Sequence, residues 1–302
     1  MPLRIVQSKQ NPRLKQLRRA LSQPMKELSQ AGRGLAGIEG PNLLEEALRA
    51  GLRIECVFAA EGSERLLEAL DLPADLEILL LPRPLLDATL TTESPQPIAA
   101  LVEPPDWTWA HLLGTHGLDP KQKKSSLVVL LAGLQDPGNL GTILRSAEAF
   151  GADGVIGLPG TVSAWNPKAV RASAGSVFRL PVLEASERTA LERLREAGVK
   201  IWTTNVHGAL AADLADLSGP TALIIGNEGN GVPLDLAAHA DGAVTIPCPG
   251  PVESLNASIA ASVLLYEAAR QRSRVSAEPS HPSQSARRMG HPASLPTARG
   301  SR

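Results

Sequence analysis

Three glycine-marked loops in the second half of this 302-residue chain carry the side chains best suited to chemistry. The first, Gly133-Leu-Gln-Asp-Pro-Gly138-Asn139-Leu-Gly141, opens a helical pattern that holds Arg145. The second is Ile225-Gly226-Asn227-Glu228-Gly229-Asn230-Gly231. The third, Glu253-Ser254-Leu255-Asn256, follows a break at Pro247, Pro249, Gly250 and Pro251. Each loop comes after an apolar run that reads as a strand. Ligands of open α/β sheets sit beyond the carboxyl ends of the strands, so the three loops can converge on one site. The first loop has the glycine spacing of a phosphate-binding P-loop, yet Asn139 and Leu140 stand where lysine and a hydroxyl residue are required. No G-x-G-x-x-G fingerprint occurs there, and the chain has no G-x-S-x-G elbow and no zinc-ligand spacing.

The third loop leads into ASIAASVLLYEAAR (257–270), small and apolar residues that read as a buried helix. Buried polar groups need partners, so Glu253, Ser254 and Asn256 either cap that helix or hold a ligand. Capping accounts for Ser254 and leaves Asn256, read as lying inside the first turn, without a reason. The other candidates have plain structural alternatives. Asn139 can be a helix cap, Arg145 half of a surface ion pair, and Glu228 an acceptor that steadies its loop.

The elements that must position these loops follow from hydrophobic pattern. LVVLLA (127–132) is a continuous apolar run of the kind buried on both faces of a parallel sheet. Strands at 154–158, 177–183, 199–204, 221–226 and 244–246 alternate with helices at 140–150, 167–173, 186–197 and 234–238, which argues for an open parallel sheet. Ahead of this unit, strands at 34–39, 54–59, 77–81 and 97–102 alternate with helices to give a small α/β domain of its own. Near the start, Asn11-Pro12 marks a helix whose Leu14, Leu17 and Leu21 recur on one face. Four parts result: a first domain over 1–103, a linker over 104–126, a second α/β domain over 127–272, and a disordered basic tail over 273–302. The linker has three prolines, Trp107, Trp109, His111, His116 and the basic run 121–124, with no periodicity. The tail has seven serines, four prolines, five arginines and one acid, too little apolar surface to offset its chain entropy.

Composition narrows the partners. At 43% hydrophobic and 20% charged the chain is globular, and 3% aromatic residues argue against single-strand binding on aromatic platforms. The net charge of −1 hides an uneven distribution: residues 1–33 hold eight basic side chains against Glu27 alone, an excess able to attract phosphates or simply to be solvated. Cys56 and Cys248 form neither a disulfide framework nor a metal site, so a reducing cytoplasm is expected and no metal. No apolar run is long enough to span a bilayer.

Taken together, NLGTILRSAEAFG (139–151), IIGNEGNGVP (224–233) and ESLNASIAASVLLYEAAR (253–270) resemble, in the right order, the three motifs of the SpoU (TrmH) family of RNA ribose 2′-O-methyltransferases. The first domain is similar to the substrate-binding domain of the ribosomal-RNA members, through Ser8-Lys9-Gln10-Asn11-Pro12 and the strand ending in Glu39-Gly40. The resemblance implies a SPOUT fold, a parallel sheet whose C-terminal segment threads a trefoil knot. Periodicity alone would give an ordinary unknotted sheet. It also implies S-adenosyl-L-methionine held by Asn205, Gly226, Ile246 and Leu255, and a homodimer that completes the active site. Carried over by motif, the catalytic candidates are Asn139, Arg145, Glu228, Ser254 and Asn256. Arg171 and Ser173, in Val170-Arg-Ala-Ser-Ala-Gly175, resemble a further family segment. An arginine stays protonated at physiological pH, so Arg145 suits phosphate binding and electrostatic activation of the ribose hydroxyl better than proton abstraction. The implied substrate is ribosomal RNA (23S). Transfer RNA, or a non-catalytic role in RNA binding or ribosome assembly, are the alternatives.

Overall fold

The computed structural model describes residues 3–22, 34–113, 126–205, 209–252 and 254–277. The basic tail beyond Ala277, the run 121–124, His116 and Glu253 lie outside them. The described residues form two sheets. The first comprises β1 (Leu3–Ile5), β2 (Ala36–Glu39), β3 (Ile54–Ala60), β4 (Ile78–Leu81) and β5 (Ile98–Val102) in the order β1-β4-β3-β5-β2. β1, β4 and β3 run parallel, while β5 is antiparallel to β3 and β2. Successive strand residues face opposite sides, so β3 sends Val57 and Ala59 to one core and Cys56 and Phe58 to another. Helix α1 (Pro12–Ser22) covers the Phe58 side with Leu14, Leu17 and Leu21, joined there by α4 (Arg83–Asp87). Helices α2 (Pro41–Arg49) and α3 (Glu64–Glu68) cover the other side with Leu44, Ala47 and Leu67.

The second sheet holds β6 (Leu127–Ala132), β7 (Gly154–Gly157), β8 (Val182–Glu184), β9 (Lys200–Thr204), β10 (Leu210–Ala211), β11 (Thr221–Gly226) and β12 (Gly242–Thr245). Their order is β10-β12-β9-β11-β6-β7-β8, parallel throughout. Every residue of the central strands β6 and β11 is buried, as their unbroken apolar runs require. One face is covered by α6 (Pro137–Ala149), α7 (Pro167–Ala172) and α10 (Ala257–Ala277). The other is covered by α5 (Trp109–Leu112), α8 (Glu187–Glu196) and α9 (Leu234–Ala237).

Several expectations are corrected. Residues 177–183 are not one strand: Ser176–Phe178 form a 3-10 turn and the strand starts at Val182. Gly175 enters the turn at a left-handed φ of 88, which breaks the extended backbone that a strand over these residues needs. The segment read as a linker holds the short helix α5, whose Leu112 is fully buried against the second sheet. The last helix continues to Ala277 and does not stop at Arg272. Arg272 donates to the carbonyls of Ser126 and Gly219, and Gln271 bonds Leu217 and Ala215, so the helix end is pinned to the sheet's amino-terminal edge.

The two sheets share one core. Residues of β2 and α2 join those of β6, α6 and α7 in a single apolar cluster, and α7 lies against β2. Polar contacts close that seam. Arg179 holds Glu148 through Nε (2.6 Å) and Nη2 (3.1 Å), and its Nη1 reaches Glu46 of α2 (2.5 Å). Gly175 allows the approach, since a Cβ there would lie 2.7 Å from Glu46 Cβ.

Candidate active site

β6 and β11 run in register with Ala132 beside Gly226, so the first two loops leave the sheet at the same level. The first loop turns at Gly133 (φ 73) and enters α6 through Asp136, whose Oδ1 accepts from the Asn139 amide (2.8 Å). Pro137 at the first helical position needs no hydrogen bond there. That amide bond, with Lys168 Nζ 3.6 Å away, holds the Asp136 carboxyl below the usual range. Asp136 is therefore the cap, and the Asn139 side chain is left free for other partners.

In the second loop Asn227 and Gly231 pair through both backbone bonds (3.0 and 2.9 Å). A Cβ on Gly226 would fall 2.1 Å from the Gly231 carbonyl carbon, so only glycine permits this closure. Asn227 Nδ2 donates to the Gly133 carbonyl (2.8 Å), tying the second loop to the first. The loop presents Glu228, whose Oε1 accepts from Asn139 Nδ2 (2.8 Å).

The third loop completes the network. Asn256 Nδ2 donates to Asn139 Oδ1 (3.1 Å), so Asn139 bridges Glu228 and Asn256 from loops 89 and 117 residues away. The helix begins at Ala257, which corrects the reading of Asn256 as an interior residue. Asn256 is the N-cap: its Oδ1 accepts from the Ser258 amide (2.9 Å) and hydroxyl (2.7 Å). One oxygen caps the helix while the amide nitrogen joins the site. Ser254 is exposed two residues earlier and is not the cap.

Arg145 stays outside this network. It is exposed on α6, six residues past Asn139, and forms no hydrogen bond or ion pair among the described residues. Glu228 engages Asn139 of the first loop. The remaining candidates gather on neighbouring strands. β12, β9 and β11 are adjacent, and their carboxyl ends carry Ile246, Asn205 and Gly226. The Asn205 amide donates to the Val244 carbonyl (3.0 Å), while Ile246 and Leu255 are half-buried. Ser173 is fully buried, its hydroxyl turned back to the Val170 carbonyl (2.8 Å), whereas Arg171 is exposed. Asp136 and Asn227 were missed in the sequence. The pair Asp136-Pro137 is a cap signature that could have revealed the first, and nothing local marks Asn227 as the tie between loops. No group of carboxylates, histidines or cysteines that could hold a metal exists among the described residues.

Solved RNA methyltransferases share this fold. An AdoMet-bound rRNA methyltransferase from Sinorhizobium meliloti superimposes with a TM-score of 0.75 at 29% identity, covering 89% of this chain and 98% of that one. The pattern of the SpoU rRNA Methylase family matches residues 126–266, and that of the RNA 2′-O ribose methyltransferase substrate-binding domain matches residues 38–108. A 23S rRNA (guanosine(2553)-2′-O)-methyltransferase, RlmP of Bacillus subtilis, is 33% identical over 76% of this chain and 86% of its own length. A tRNA/rRNA methyltransferase of Mycolicibacterium vanbaalenii, itself uncharacterized, is 37% identical over 77% of this chain and 76% of its own. The chain belongs to the SpoU family of RNA methyltransferases. The family's SPOUT fold implies a trefoil knot in the C-terminal segment.

Proposed function

We propose that this enzyme transfers a methyl group from S-adenosylmethionine to a ribose 2′-hydroxyl of ribosomal RNA, the 23S molecule being the substrate the relatives favour. The observation that carries the proposal is Asn139, whose amide ties the loops of all three motifs into one constellation at the carboxyl edge of the sheet. The residues present fit the cofactor. Gly226, Asn205 and Ile246 stand at three adjacent strand ends, with half-buried Ile246 and Leu255 offering apolar surface to an adenine. When bound, S-adenosylmethionine supplies an electrophilic methyl group on a sulfonium. Arg145, which engages no partner among the described residues, binds a phosphate beside the target ribose and favours ionisation of its hydroxyl electrostatically. The proton passes to that phosphate or to water. Ser254, Asn256 and Asn139 orient the ribose, and Glu228 holds Asn139.

The N-terminal unit grips RNA through phosphate and shape, with Lys15, Arg18 and Arg19 exposed on α1. Two copies pair in the cytoplasm through α10, where Ile259, Val263 and Tyr266 recur at helical spacing and are 49%, 38% and 54% exposed. No helix among the described residues is long and apolar enough to cross a membrane. The test is incubation of purified protein and labelled S-adenosylmethionine with ribosomal RNA, transfer RNA and 2′-deoxy analogues. Label is expected on ribosomal RNA and not on its 2′-deoxy counterpart. Label on a base, or persisting on the 2′-deoxy RNA, refutes ribose transfer.

A further inference from the structure

α7 is pressed onto α6 where Gly141 has no side chain: a Cβ there would lie 2.5 Å from both the Ala169 carbonyl and Ala172 Cβ. Ala169, Val170 and Ser173 are buried in this contact, which turns Lys168 and Arg171, three residues apart, together toward solvent. The short helix is fixed at its start by Asn166, whose Oδ1 accepts from the Lys168 amide (2.9 Å). Lys168 Nζ stands 3.6 Å from Asp136, the cap beneath Asn139, so this ridge begins beside the site. Its Arg171 contrasts with the surrounding arginines. Arg179, Arg188, Arg193, Arg195, Arg270 and Arg272 each engage a carboxylate or a carbonyl. Arg145 on α6 and Arg171 on α7 engage none among the described residues.

Resting on the reading of the enzyme as an RNA methyltransferase, we propose that Lys168 and Arg171 form a phosphate-binding ridge for the RNA strand flanking the target ribose. Arg171 takes a backbone phosphate neighbouring the one held by Arg145, and Lys168 takes the strand where it passes the first loop. Both cations ride on a helix locked against α6, so strand and loops are held in one register. A guanidinium matches a phosphate bidentately, which an ammonium does not.

The test uses the full chain with a 23S ribosomal RNA transcript, comparing Arg171→Ala, Arg171→Lys and, as a distant control, Arg188→Ala. RNA affinity is read by anisotropy across a salt series without turnover, and KM and kcat with labelled S-adenosylmethionine. Arg171→Ala is expected to weaken RNA affinity and raise KM about tenfold, one charge-assisted hydrogen bond's worth. kcat should stay within about twofold, with cofactor affinity and melting temperature unchanged. The slope of log affinity against log salt should become shallower by about 0.7 to 0.9, one phosphate contact. Arg171→Lys should restore the slope but only part of the affinity. An unchanged slope in Arg171→Ala, or an equal loss in Arg188→Ala, overturns the proposal. A wild-type protein that binds RNA with the predicted slope change on mutation but methylates nothing refutes the activity and leaves the ridge standing.

Discussion

Arg179→Ala should loosen the seam between the two sheets by a measurable and specific amount. The guanidinium makes three contacts, two to Glu148 and one to Glu46 across the seam. These contacts are partly solvated, with side-chain exposures of 35% for Arg179, 25% for Glu46 and 31% for Glu148. Solvent screening therefore limits each pair to about 0.2–1 kcal/mol, and the total to about 1–2 kcal/mol including the two carboxylates left without a counter-charge. At about 2–4 °C per kcal/mol for units of this size, the melting temperature should fall by a few degrees. A double-mutant cycle isolates the cross-seam contact: Glu46→Gln with Arg179→Ala should give a coupling of about 0.5–1 kcal/mol by urea unfolding. Glu148 adds a pH signature. Burial raises its pKa, but hydrogen bonds from Arg179 and Ser176 outweigh this and leave it below its ordinary value of 4.5. A depressed carboxyl stabilises the fold above its unfolded pKa, so this contribution is intact at neutral pH and is lost as pH falls below about 4.5 through the folded value. Coupling indistinguishable from zero at pH 7, or coupling that persists after Glu148 is protonated and both acids are neutral, refutes the reasoning.

Removing the bridge in Asn139→Ala should lower kcat by about a hundredfold, because the loops lose their common tie, while melting shifts by only a few degrees; a kcat within threefold of wild type argues that the network is ornamental. Gly226→Ala places a Cβ 2.1 Å from the Gly231 carbonyl carbon, so calorimetry should find cofactor affinity reduced at least tenfold with the sheet still folded, and unchanged affinity contradicts the closed loop. Val263→Glu puts a charge into the exposed apolar stripe of α10 and should convert a dimer to monomers in sedimentation; a monomeric wild type, or an unaffected dimer, removes that face from the interface. Arg145→Ala should abolish transfer with cofactor affinity within about twofold, and a collapse of cofactor binding reassigns the residue.

How much of this was legible depended on what each segment buries. β6 and β11 were plain because six consecutive buried residues in a central parallel strand leave an uninterrupted apolar run. β1 was invisible because its three residues are all exposed and carry no pattern. Val177 and Phe178 imitated a strand because burial in a 3-10 turn uses the same residue types as burial in a sheet. α4 was hidden by Pro82 and Pro84, which read as breaks although proline is tolerated in a helix's first turn. At the site, the motifs gave the residues but not their connections. That one asparagine would bridge a glutamate and an asparagine 89 and 117 positions away is a fact of chain crossing, not of spacing. Asn256 was misread for a local reason: a cap and a first-turn residue differ by one position, within the uncertainty of any boundary judged from sequence. The seam through Arg179 left no trace, since Glu46 and Arg179 are separated by 133 residues.

The shared core has an evolutionary consequence. A substrate-binding unit joined to its catalytic partner by a tether alone could be exchanged among relatives to redirect the enzyme to a new RNA. Here α2 and β2 are embedded in the same apolar cluster as α7, with Glu46 lodged over Gly175 and held by Arg179. A grafted unit would have to bring an acid at position 46 and a surface shaped to that glycine, or else lose the cross-seam contact of Arg179 and meet a clash. Recombination between family members is thereby confined to partners that have kept this joint, and new specificity must arise by substitution on the RNA-facing surface.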